Sequence, residues 1–462
     1  MLGSALRPSP GRDTADVAVI GAGLAGLAAA HHLTAVGLRV TVLEAAEAVG
    51  GRMATEEVDG YRLDRGGRPL LSDWPEAGRC PGLERLSLRP FTSGVLIHSG
   101  DRGLRIGPPR APRNIRGGRA GAGTGARAAA SALAGARRPL SDTLDLARLR
   151  AQLARLAATP VERLRARPEL SVAQALSARG VPSRTVEGLL RPLLGALLCD
   201  PGLTTSSRVG DLVLRGFARG GLCLPAGGAA TVPELLAASL PPGTVRTGVR
   251  AVSVATNAVV TRDHGTVRCR AVLIATGAHD AAELLPGLRV PDFHPVTVLH
   301  HAVDGRTPAT DPQPLPHLLI DADRRGPVAY TMVTSAVDPS RARPGGTLVT
   351  SVVLGAAAAE PVGELDRAAR AQLAVLYGVP TRRWGLLGAH HDARAVPAMP
   401  APHDPWRPVR VLDGLYVCGD HRDTSGPPGA LRSARRAADA IRRDFGISPF
   451  PEDEGRALPA VA

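Results

Sequence analysis

Hydrophobic positions near the two ends of the chain fall into the same succession. Residues 17–20 (VAVI) form a continuously apolar run, as a strand buried on both faces of a parallel sheet requires. Residues 24–36 then carry the apolar density of a buried helix, Gly37 ends it, and 39–43 returns as a second strand. Close to the C-terminus, 415–418 (LYVC) is another short apolar strand, followed by Gly-Asp, a Pro/Gly turn and an Ala/Arg-rich helix over 430–443.

The pattern changes between these ends. Residues 73–224 predict mainly helix. Within them Leu146, Leu149, Leu153 and Leu156 share one helical face, with Arg148 and Arg155 on the other. Such a basic amphipathic stripe suits a peripheral membrane contact, and a core-facing helix is its commoner explanation. Residues 110–140 are low-complexity and predict a loop. Residues 243–254 predict a strand, and 267–278 a strand and turn. Alternating runs at 291–404, such as VTVLHHAVDG and GTLVTSVVLG, predict an antiparallel sheet. No internal repeat is visible.

Composition narrows the function classes. With 462 residues and 44% apolar content, the chain can hold two or three domains with a sizeable core. The net charge of +14 is carried by arginine alone, since no lysine occurs. Residues 101–170 hold 15 Arg against 5 Asp and Glu, so most of the excess is local. That stretch lacks interleaved aromatics and every nucleic-acid signature, so a solvated Arg-rich surface is expected rather than nucleic-acid binding. Five scattered cysteines without a CxxC pair suggest neither zinc nor a dithiol centre. The first sixteen residues lack the apolar core of a signal peptide, and no run of about eighteen apolar residues occurs, which suits a reducing cytoplasm.

Two stretches carry chemistry. Gly21, Gly23 and Gly26 spell GxGxxG between the first strand and helix. The first glycine permits a tight turn, the second close approach to a pyrophosphate, the third close packing of helix on strand. Leu24 and Ala25 open the helix whose N-terminus faces the phosphates. Glu44 closes the second strand 18 residues after Gly26, where a carboxylate accepts ribose hydroxyls and disfavours a 2′-phosphate. The VGGR of 49–52 adds Gly51 and the permanent charge of Arg52, aimed at the same pyrophosphate. Gly66 and Gly67 mark a segment where the backbone can pass close to a ring.

GxGxxG…E…GGR, with the C-terminal stretch over 413–441, resembles the flavin-dependent amine oxidase and phytoene desaturase superfamily; DRGGRPLL at 64–71 and LCDPGLTTSSRVGDLVLRGFARGGLCLPAGGAATVPELL at 198–236 resemble its bacterial phytoene desaturase-like branch in particular. The resemblance implies an α/β fold: a Rossmann-like FAD-binding domain of glutathione-reductase type with an inserted α+β substrate domain. It implies a discontinuous FAD-binding domain over 15–72, 225–290 and 405–448, a substrate domain over 73–224 and 291–404, and flexible tails at 1–14 and 449–462. The two glycine-rich sites would then be two ends of one non-covalent FAD. By the same resemblance Val249 meets the adenine, Gly419 lets the chain approach the cofactor, Asp420 accepts from a ribityl hydroxyl, and Gly429, Ala430 and Leu431 start the helix aimed at the flavin pyrimidine.

The expected reaction is hydride removal from a C–H bond of a hydrophobic, isoprenoid-like molecule, with oxygen or a quinone as electron acceptor. Amine oxidation and a non-redox or isomerase role are the alternatives. Amine-oxidising relatives use a lysine near the flavin and an aromatic pair; this chain has no lysine and 3% aromatics. Adjacent histidine pairs at 31–32, 300–301 and 390–391 lack metal spacing, so no metal site is expected. His421 is the histidine that sequence places nearest the flavin. No catalytic residue and no oligomeric state is assigned.

Overall fold

The computed structural model describes residues 15–92, 94–100, 102–107, 140–303 and 315–448. The expected tails, and nearly all of the Arg-rich 102–141 segment with the loop at 110–140, lie outside the described residues.

The apolar runs at the two ends of the chain meet in one six-stranded sheet. Its order is Val245–Arg246, Val40–Leu43, Val17–Ile20, Ala271–Ile274, Leu415–Val417 and Arg410–Leu412. The first five strands are parallel and the last is an antiparallel edge. Strands buried on both faces need two covers. On one face Val17, Val19 and Val42 pack against the helices Leu24–Thr34 and Pro427–Asp444. On the other, Ala18, Ile20 and Val272 pack under a three-stranded sheet, Ala251–Ala255, Ala258–Thr261 and Thr266–Arg268. The helix Leu24–Thr34 is apolar all round because it is sandwiched: every residue from Leu24 to Leu33 is buried.

A seven-stranded sheet stands above this layer. Its order is Gly385–Pro397, Phe293–Val303, Thr347–Leu354, Val328–Val333, Leu318–Asp321, Val95–Ser99 and Arg102–Ile106. It is antiparallel except where Leu318–Asp321 runs parallel to Val95–Ser99. Helices Arg191–Leu198 and Ser207–Gly220 cover one face, and Val362–Tyr377 the other. Phe293–Val303 is therefore buried on both sides from Val296 onward, which explains a run more apolar than strict alternation.

Several expectations shift. Among the described residues of 73–224, helix is found from Leu140 onward and in the single turn Pro75–Gly78; before Leu140 they contribute the strands Leu88–Pro90, Val95–Ser99 and Arg102–Ile106. The 243–254 strand is two strands broken at Gly248, whose φ of +69° lets the chain change sheets. The first helix stops at Thr34, and the last starts at Pro427 rather than 430, since proline suits the first helical turn. Leu149 and Leu153 turn into the core, so the leucine stripe on helix Leu140–Ala158 serves as a packing face at these two positions.

Candidate active site

At the end of strand Val17–Ile20 the chain turns on Gly21, at φ +103°, with its N–H donating to the Leu43 carbonyl (2.7 Å). A Cβ on Gly26 would lie 1.9 Å from the Gly21 carbonyl oxygen, so only glycine lets the helix sit this close to the strand. Gly23 is the opposite case. No atom lies within 4 Å of where its Cβ would be, and the nearest atom to a Gly51 Cβ is the Gly23 Cα at 3.9 Å. The two glycines thus border open space beside a helix N-terminus, a cradle fit for a pyrophosphate. Glu44 is fixed beside it, one carboxylate oxygen accepting from Ala22 N–H (2.7 Å) and the other from Ala46 N–H (2.9 Å). Val249 N–H donates to the Glu44 carbonyl (2.8 Å), which brings Val249 alongside.

One cavity of about 1280 Å³ runs from this cradle to the C-terminal turn. It is larger than the few hundred to about 1,000 Å³ of a single small-ligand pocket, and so accommodates a long dinucleotide together with a second molecule. Of the residues singled out from sequence, all line it except Gly26, Gly429 and Leu431. Gly26 acts behind the wall by permitting close packing. Gly429 is wedged in its turn, where a Cβ would meet the Thr424 carbonyl oxygen at 1.7 Å, and Leu431 is buried in the core.

The structure adds a contact that sequence did not suggest. Arg52 does not end at the cradle but forms a two-pronged pair with Asp420 (2.6 and 3.0 Å) and donates to the Ala395 carbonyl (3.0 Å). Asp420 is 3% exposed, while the Arg52 side chain is 44% exposed along the cleft. Burial pushes the Asp420 carboxyl up, but the guanidinium beside it and the Gly426 N–H (3.0 Å) outweigh this and hold it below its ordinary value. Pro427 and Pro428 carry no N–H, and that of Gly426 is spent on Asp420. The C-terminal helix therefore opens with fewer free donors than expected.

Away from the cradle the wall turns apolar, lined by Leu71, Leu197, Leu198, Val209, Leu212, Val213, Val296 and Met399. Gly67, at φ +57°, passes so close beneath the sheet that a Cβ would meet Val298 at 2.8 Å. Aromatic side chains on the lining are Trp74 and Phe293, with the imidazoles of His279, His390 and His391. His421, expected nearest the flavin, is buried behind the lining, and burial pushes its imidazole down to about 4. His390 and His391 face the cavity instead, because strand Gly385–Pro397 is the sheet edge beside the cleft. Their signal in sequence is only their place in a strand. His391 Nδ1 lies 2.9 Å from Thr297 Oγ1; His390 Nε2 is 3.8 Å from Glu56, and burial lowers its pKa. Cys418 is fully buried, its thiol pushed up to about 12, in keeping with a core residue. Among the described residues no cluster of His, Cys, Asp and Glu could hold a metal, and no helix is long and apolar enough to cross a membrane.

Comparison with known proteins agrees with this cleft. Residues 24–442 match the family described as flavin containing amine oxidoreductase. Over 60 residues the chain is 50% identical to phytoene dehydrogenase of Streptomyces griseus, covering 13% of this chain and 11% of that protein. Over 61 residues it is 51% identical to putrescine oxidase of Kocuria rosea, covering 13% of each. The chain thus spans only about an eighth of these curated relatives at that level of likeness. A solved putrescine oxidase variant, redesigned in its cofactor binding, superposes with a TM-score of 0.66 at 19% identity, covering 93% of this chain and 99% of that one.

Proposed function

The chain belongs to the family of flavin-containing amine oxidoreductases and its cofactor is FAD; from that premise we propose that it dehydrogenates a hydrophobic small molecule at a C–H bond, in the manner of a desaturase. The observation that carries this is the wall opposite the cofactor cradle. It is built of leucine and valine, its tyrosine-free lining offers no facing aromatic pair among the described residues, and the chain has no lysine. A protonated amine would be poorly solvated there, whereas an apolar chain gains about 0.8 kcal/mol per buried CH₂.

The residues divide the work. Gly21, Gly23, Leu24, Ala25, Glu44, Gly51 and Val249 would hold the adenosine and pyrophosphate half of FAD. Gly66, Gly67, Gly419, Asp420 and Ala430 would hold the flavin half. Arg52 ties the two halves to each other through Asp420, and to the roof through Ala395. When bound, FAD supplies the hydride acceptor, and its reduced form would pass electrons to oxygen or a quinone. The apolar wall orients the C–H bond and excludes water. The hydrogen that leaves as a proton has His390 on the lining to receive it, an imidazole kept neutral near pH 7 because burial lowers its pKa.

Anaerobic mixing of the yellow holoprotein with a panel of lipophilic alkenes and polyenes tests the reading. Bleaching of the flavin band, with a product two hydrogens lighter, is expected. Bleaching by amines alone, with hydrogen peroxide on readmitting air, would move the protein to the amine oxidases. A product of unchanged mass would make it an isomerase.

A further inference from the structure

Among the described residues, four of the nine arginines lining the cavity are committed to acids, Arg215 to Asp73 (3.8 Å) among them. Arg52 holds Asp420, Arg65 holds Glu56 (2.7 Å), and Arg432 holds Glu76 (2.6 Å) and Asp423 (2.7 Å). Arg68 differs. It lines the cavity, is partly buried, and has no hydrogen bond or ion pair among the described residues. Its Nη1 lies 3.8 Å from where a Cβ on Gly426 would stand, so the guanidinium reaches across the cleft to the turn before the C-terminal helix. There Pro427 and Pro428 offer no N–H, which leaves Arg68 as the donor-rich group of that wall.

Its charge also reaches the buried core beside the cavity. The groups that feel it are the Cys199 thiol and the Tyr330 hydroxyl, both at most 1% exposed in the core above the cavity. That hydroxyl is itself buried with no hydrogen-bond partner among the described residues. An unpaired guanidinium beside a leucine and valine wall is costly unless an anion joins it. None of the described residues supplies one, so the anion arrives with a bound molecule, either the flavin half of the cofactor or the molecule that fills the apolar part of the cavity.

We propose that the substrate is a lipophilic carboxylate, its acid group gripped by Arg68 and its hydrocarbon body laid along Leu71, Leu197, Leu198, Val209, Leu212 and Val213. This rests on the dehydrogenase reading above and sharpens it. A planar fork of N–H donors matches a carboxylate in a way a point charge does not, so the grip also fixes which carbon lies over the cofactor.

The test titrates full-length holoprotein with dodecanoate and with dodecanol, following the visible spectrum of the bound flavin. Wild type should bind the acid at least about tenfold more tightly than the alcohol, the size of one charge-assisted pair. Arg68→Gln should erase that preference and leave the alcohol affinity in place, while Arg68→Lys should keep part of it. Equal binding of acid and alcohol by wild type, which needs no variant, would overturn the inference and spare the apolar reading. Failure of both to bind would remove the apolar reading and the inference together. Should Arg68→Gln keep the preference for acid but weaken sulfite addition to the flavin, the charge serves the cofactor and the inference is wrong.

Discussion

Replacing Arg52 by methionine should strip the charge from beside a buried carboxylate while keeping most of the side-chain volume. Asp420 is 3% exposed and lies 2.6 and 3.0 Å from the two guanidinium nitrogens. At about 4 Å between charge centres and an effective dielectric near 20, the gross attraction is about 4 kcal/mol. Breaking a fully buried pair costs about 3–5 kcal/mol. The guanidinium, however, is 44% exposed and solvent screens it, so the expected loss falls to about 2 kcal/mol. The assay is urea unfolding of the apoprotein for wild type, Arg52→Met, Asp420→Asn and the double variant, read as a double-mutant cycle. The loss should depend on pH with a definite sign. In wild type the Asp420 carboxyl titrates below its unfolded value of about 3.9, so its stabilisation is present above that pH and fades as pH falls through the lower folded value. In Arg52→Met burial is no longer outweighed by the guanidinium and raises the carboxyl, so the deficit should be larger at pH 7 than at pH 4. A coupling below about 0.5 kcal/mol at pH 7 would refute the claim that this pair joins the two ends of the site.

Gly23→Ala should fold with near wild-type stability yet lose most of its FAD, because its methyl would meet no protein atom and would enter the cradle; Gly26→Ala, with a Cβ 1.9 Å from a backbone oxygen, should fail to accumulate as folded protein. Flavin content and thermal unfolding of the two variants separate these outcomes. Stability should fall as pH drops from about 6.5 toward 4, since burial holds His300, His317 and His421 down at about 4, and the unfolded chain binds more protons in that window. A flat urea midpoint between pH 6.5 and 4 would contradict it. Native protein should resist a thiol-directed reagent: burial lifts Cys80 and Cys418 to about 12 and Cys223 to about 11, and half-buried Cys269 should react first. All five thiols should titrate once the protein is denatured.

Features carried by neighbours along the chain are legible in the sequence itself. Gly21, Gly26 and Glu44 fall within one strand–helix–strand unit, so spacing alone brings them together, with the Glu44 carboxylate accepting from Ala22 N–H (2.7 Å). Features that arise from long-range pairing are not. The Arg52–Asp420 contact spans 368 residues, and no local pattern marks Arg52 as the partner of an acid rather than of a phosphate. The strands at 95–106 escape a reading of local pattern because Val95–Ser99 is held by a parallel partner more than two hundred residues away, Leu318–Asp321. His390 and His391 face the cleft only because strand Gly385–Pro397 forms the sheet edge there, and edge position is a property of the assembled sheet.

The arginine bias gains a physical meaning from the same contacts. Among the described residues, many arginines tie together segments remote in sequence. Arg341, 1% exposed, pairs with Asp64 (2.9 Å) and donates twice to the Arg62 carbonyl. Arg432 joins helix Pro75–Gly78 to the C-terminal turn through Glu76 and Asp423. Arg436 gathers the carbonyls of Arg407 and Arg422. Each tie uses several donors of one planar fork at once, which an ammonium on a flexible stem does with less geometric precision. A chain that closes its cofactor cleft from segments hundreds of residues apart needs such multi-pronged links where those segments cross. Arg68 is a fork of the same kind in the same cleft, and none of the described residues is its counterpart, which is why a carboxylate arriving with the substrate completes the pattern.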